Sequence, residues 1–167
     1  MQAWRVDREV LAIGAVRIAL QRIALAHWRA DARLRSWGVA PLVVLDSASL
    51  AVPCWPEEAL WLGAWGEDDA ASAAIALHLP GGLGPVRIHL PAETAITSLE
   101  DAAGGARPLA WESPEQDHLV LELAVEHAGG RVALSLVLLR PATWEQRSGR
   151  PAPPPPQSPP PLPPRLG

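Results

Sequence analysis

Few side chains in this sequence are of a type and spacing that could do chemistry. Cys54, the single cysteine, sits in VPCWPEE at residues 52–58. A nucleophilic thiol needs a base beside it and a lowered pKa. Histidines occur at positions 27, 78, 89, 118 and 127, and none forms a local motif with Cys54. Cys54 therefore reads as a small buried residue. One cysteine also excludes an internal disulfide and a cysteine-cluster zinc site. His78 and His89 share a face of an expected hairpin with Arg87. Two histidines can begin a zinc site, with His118 as a possible third ligand, but exposed strand histidines are the plainer reading. The acids Glu67, Asp68 and Asp69 lack the ligand spacing of a calcium loop. PGGLG at residues 80–84 is too short for a dinucleotide fingerprint and joins two strands, so it is a turn. The expectation is a non-enzymatic protein with no cofactor and no bound metal.

Trp61 and Trp65 fall on one face of an expected strand. Exposed indoles on a sheet can stack on sugar rings, so a carbohydrate- or ligand-binding module is one alternative. A small His-based metal site or enzyme is another. The chain has 8 Trp but no Phe or Tyr, so Trp must also fill the core.

The C-terminus carries the clearest pattern. Proline fixes φ and removes the backbone donor, so residues 151–164 cannot form helix or sheet. A polyproline II rod, or a chain rich in that conformer, is expected outside the fold. Arg150, Pro153 and Pro156 spell R-x-x-P-x-x-P, and Pro160, Pro163 and Arg165 spell P-x-x-P-x-R. These motifs resemble the two orientations of ligand for the SH3 family. The resemblance covers only the tail. It implies prolines seated in an aromatic groove and a terminal Arg in an acidic pocket of a partner protein.

Composition narrows the setting. Net charge is −4 and the pI is near 5.7, which argues against general nucleic-acid binding. Phe, Tyr, Lys and Asn are all absent, and all 14 basic residues are Arg. The codons of the four missing types are AT-rich, so a GC-rich gene explains the bias without selection for Arg chemistry. The start, MQAWRVDREV, lacks the form of a signal peptide, and no apolar run approaches the roughly 20 residues of a membrane helix. A cytoplasmic protein without membrane contact is expected.

The elements that would position these residues divide the chain in three. Residues 1–40 are expected to hold one long amphipathic helix over 6–37. Val6, Val10, Ile13, Val16, Leu20 and Ile23 recur every three or four residues, and Gly38 and Pro41 stop the pattern. Leu11, Ile18 and Leu25 form a second stripe, an interface candidate for self-assembly. From 41 to 145 the period changes to two, with hairpins around PGGLG and around AGG at 128–130. About eight strands in an antiparallel β-sandwich are expected, giving an α+β fold. The segment 131–139 is apolar on both faces and should be central or covered. Residues 146–167 are the proline-rich tail. The whole reads as a structural or adaptor subunit of a larger assembly, docking or tethering to another protein through that tail.

Overall fold

No long helix forms at residues 6–37. The computed structural model, which describes residues 3–30 and 33–156, builds most of that stretch as strands. β1 (Arg5–Asp7), β2 (Val10–Ile13) and β3 (Val16–Ala24) run antiparallel through two tight hairpins. Two-residue turns link them. Arg8 and Glu9 take φ of 48° and 66°, the left-handed pair of a type I′ turn, and Gly14 opens the next turn at φ 56°. The Val and Ile that gave the apparent helical stripe are β-branched and better suited to a pleated surface.

The rest does not form an antiparallel sandwich of about eight strands either. Thirteen strands in three sheets are present among the described residues. The others are β4 (Val43–Asp46), β5 (Ser49–Pro53), β6 (Glu58–Gly66), β7 (Ala73–His78), β8 (Val86–Leu90), β9 (Ala95–Ile96), β10 (Leu99–Glu100), β11 (Ala106–Arg107), β12 (His118–His127) and β13 (Gly130–Leu139). One sheet has five strands in the order β1-β2-β3-β6-β9, another six in the order β4-β5-β13-β12-β7-β8, and β10 pairs with β11 alone. The six-stranded sheet is mixed, because β5 runs parallel to β13. The N-terminal segment is thus no separate helical unit. β3 zips along the whole of β6, from Val16 opposite Gly66 to Ala24 opposite Glu58.

Both hairpins read from the sequence are present. Ile75 faces Ile88 across β7 and β8, and Leu121 faces Leu136 across β12 and β13. The two larger sheets share one core. Leu11, Ile18 and Leu62 from the first meet Leu50, Leu123 and Leu136 from the second around a void of about 10 Å³. That is about one water's worth of space, so the core is packed and holds no ligand cavity there.

A short helix, α1 (Pro141–Ser148), follows β13 directly, with proline in its first turn and Gly149 in the left-handed conformation as its stop. It drives Trp144 onto Ala51 and Leu139, on the outer face of β5 and β13. This covering explains why β13 is apolar on both sides. No helix among the described residues is long and apolar enough to cross a membrane.

Candidate functional site

Residues 150–156, the first part of the proline-rich segment, fold back on the body as a strap. Five of the six residues 151–156 are proline, so the strap has almost no donors to offer and must be held through its carbonyls. Trp55 supplies one donor: its indole Nε1 donates to the Pro153 carbonyl at 2.8 Å. Arg22 supplies another: its Nη2 donates to the Pro154 carbonyl at 2.7 Å. The lone non-proline amide, Ala152 N–H, donates to Glu145 Oε1 of α1 at 2.8 Å. At the leading end Arg150 pairs with Glu9, donates to the Leu42 carbonyl at 3.2 Å, and lies 5.4 Å from the Trp144 ring centroid. Glu9 completes the clasp by accepting the Leu42 N–H at 2.5 Å.

Beneath the strap lies a buried ion pair. On the β3–β6 ladder Arg22 faces Leu60 and Ala24 faces Glu58, so Arg22 and Glu58 are diagonal neighbours. Both point to the core side at the end of the sheet, with exposures of 5% and 1%. Glu58 Oε2 accepts from Arg22 Nε at 2.7 Å and lies 2.6 Å from Nη2 in the same ion pair. Burial pushes the Glu58 carboxyl up to about 7, opposed in part by the Arg22 charge.

The connection carrying Trp55 is fixed from behind. Trp111 Nε1 donates to the Cys54 carbonyl at 2.7 Å, and the Cys54 amide donates to Leu139 at 3.0 Å. Arg140 stacks 4.1 Å above the Trp111 ring and donates to the carbonyls of Ser113, Pro114 and Gln116. Cys54 is wholly buried, with its Sγ toward the carbonyls of Trp55 and Glu58. Burial first, and the Glu58 charge second, push its thiol well up, which is the reverse of what a nucleophile needs.

The other candidate residues are scattered. Leu11 and Ile18 face each other inside the core. Leu25 packs with Ile23, Ala59 and Ala110 in a second apolar cluster. The three do not make a surface stripe, because the helix that would have aligned them is absent. Trp61 and Trp65 do share a face of β6, on either side of Gly63. Trp61 is half-buried in the Ile23 cluster and donates to the Arg35 carbonyl at 3.4 Å. Trp65 is 43% exposed and, with Arg5, Arg8 and Arg17, lines an open cleft of about 480 Å³.

His78 and His89 are not neighbours. The register sets His89 opposite Ala74, four residues along β7 from His78, a separation of roughly 13 Å at about 3.3 Å per residue. His118 lies as far beyond Glu122, the cross-strand partner of His78. Among the described residues no three His, Cys, Asp or Glu side chains group to hold a metal ion. Glu67 pairs with Arg17 at the surface. Of the tail motifs, Arg150, Pro153 and Pro156 belong to the strap, while Pro160, Pro163 and Arg165 lie outside the described residues. The groove residues Arg22, Trp55, Glu58, Glu9 and Trp144 were not foreseen. The available signal was an Arg inside the apolar run IALQRIALA at residues 18–26 and a Trp between the two prolines of PCWP at 53–56. No family model matches the chain, and no curated protein or solved structure matches it.

Proposed function

We propose that this chain is a non-enzymatic structural or adaptor protein whose proline-rich C-terminal segment engages another protein. One observation carries the reading: the root of that segment is clamped by Trp55, Arg22 and the Arg150–Glu9 clasp, which anchors it to the body. A fixed root lowers the entropy lost when the segment docks, and a polyproline helix is already stiff. Arg150, Pro153 and Pro156 are engaged by the body, so outward docking falls to Pro160, Pro163 and Arg165. The partner this chemistry fits has an aromatic groove ending in an acidic pocket.

The test is binding of purified SH3, WW and EVH1-type domains to the full chain, to a version stopped after Pro156, and to Arg165→Glu. The expected result is saturable binding of an acid-flanked domain to the full chain, lost on truncation and weakened by the charge reversal. If no such domain binds the full chain, the reading fails. A second reading rests on Trp65, the exposed indole beside the arginine-lined cleft: that face would take a sugar or other flat ligand. Quenching of tryptophan emission by a panel of saccharides, absent in Trp65→Ala, is its signature.

A further inference from the structure

The contacts of the strap are those of a ligand in a groove. Exposure along it repeats every three residues: Pro151 and Pro154 face solvent, while Ala152 and Pro155 are half-buried, as is Pro153, and Pro156 is buried. Three residues per turn is the period of a polyproline II helix, so one ridge looks outward and two pack. The body meets this helix with an indole N–H and a guanidinium aimed at successive proline carbonyls. Proline carbonyls are acceptors without competing amides, and side-chain donors from an aromatic-lined groove are the general way proteins read them. Polarity is set by Arg150, held between Glu9 and Trp144. The Ala152 amide is the single donor among residues 151–156, and Glu145 accepts it. Arginine, spacing and donor position are therefore all recognised.

None of this depends on the covalent link. The strap joins the body at Gly149, whose φ of 70° makes it a natural hinge. We infer that the cleft between β3, the connection before β6 and α1 is a binding site for an arginine-led polyproline segment, filled in cis by residues 150–156 and able to take the same segment from a second copy. Exchange of identical segments makes the same contacts twice, so it costs little once the hinge opens. In the single chain the tethered strap competes at a high effective concentration, which keeps the site closed to outside segments at low protein concentration.

Two full-length variants test the inference by complementation. Trp55→Ala impairs the groove and leaves the strap intact. Arg150→Glu impairs the strap and leaves the groove intact. Each alone should sediment as a monomer, and an equimolar mixture at sub-millimolar concentration should form a heterodimer. A mixture of two folded variants that stays monomeric overturns the exchange. A second measurement covers poor folding of either variant. A protease site is placed before Gly149 in the full chain and cut after folding, and a labelled peptide GRPAPPPP is added. The cut protein should bind it saturably, with the uncut protein and cut Glu9→Gln each about tenfold weaker or more. Equal binding by cut and uncut protein puts the peptide elsewhere and overturns the site. Loss of near-ultraviolet circular dichroism on cutting makes the strap a part of the core and also overturns it. Neither readout involves residues beyond Pro156, so failure of outward docking leaves this inference standing, and the reverse.

Discussion

Raising the pH should weaken this fold through one carboxyl. Glu58 is 1% exposed, and burial raises its pKa from 4.5 to about 7, with Arg22 opposing. The folded chain therefore holds this proton more tightly than the unfolded chain does. Its contribution to stability is complete below the unfolded value near 4.5, is lost as pH rises to about 7, and changes no further above that. At roughly 1.4 kcal/mol per pH unit, that interval corresponds to on the order of 3 kcal/mol. For a chain of this size each kcal/mol moves Tm by about 2–4 °C, so Tm should fall by roughly 6–12 °C from this group. The wild-type profile sums over every ionisable group, so it alone does not isolate Glu58. Glu58→Gln does. It reproduces the protonated acid, it still offers Arg22 an acceptor, and it cannot ionise. Melting followed by tryptophan emission at constant ionic strength should give similar Tm values for the two proteins at pH 5. By pH 8 the variant should be the more stable by that margin. The charged neighbours acting on Glu58 are Arg22 and the adjoining Glu57, and both remain in the variant. Parallel profiles for the two proteins would refute the argument. So would a variant less stable at pH 8, because pairing with Arg22 would then outweigh burial.

The neighbouring groups give further expectations. Arg22→Met leaves the Glu58 carboxylate buried without its countercharge, so urea unfolding should show a loss of about 3–5 kcal/mol at pH 8 and a smaller one at pH 5; an equal loss at both would contradict it. Arg140→Lys keeps the charge but not the planar fork that serves three carbonyls and stacks on Trp111. It should cost about 1–3 kcal/mol and speed hydrogen exchange over residues 112–117, and an unchanged urea midpoint would count against it. Cys54, buried and with its thiol pushed well up, should resist Ellman's reagent at pH 8 in the native protein and react fully in denaturant. Fast native modification would show that the connection opens.

What could be read from the sequence follows from how local the cause was. The hairpins at 73–90 and 118–139 rest on period-two alternation closing on glycine-rich turns, and both signals lie within a few residues of each other. The covered status of β13 was legible for the same reason, since Val137 and Leu139 are apolar on the face opposite Leu136 and Leu138. The N-terminal strands had no such signal. In β3 the core side carries Arg22 while the outward side carries Ala19 and Ile23, so the alternation breaks and period two is lost. The first turn was hidden too. Arg8 and Glu9 are not turn formers, yet both have positive φ, and Glu9 is held there by contacts with Leu42 and Arg150, 33 and 141 positions away.

The strap was half legible. Its composition does forbid helix and sheet, but a polyproline helix can still pack if a groove supplies donors. Those donors, Trp55 and Arg22, stand 98 and 132 residues from the carbonyls they bond. Their chemistry bears on why a charged pair lies under a strap of prolines. An apolar floor would stabilise the closed state as well or better, since a buried ion pair contributes little net stability against a hydrophobic pair of similar volume. The difference lies in the open state. Lifting the strap from an apolar floor exposes that floor to water at roughly 25 cal/mol per Å². Lifting it from Arg22 and Glu58 returns two charges to solvent and recovers hydration that burial had removed. The floor therefore makes opening cheaper. It does so more strongly above about pH 7, where Glu58 is ionised in the folded protein. A permanent lid gains nothing from such a floor. A segment that must leave and be replaced by another does.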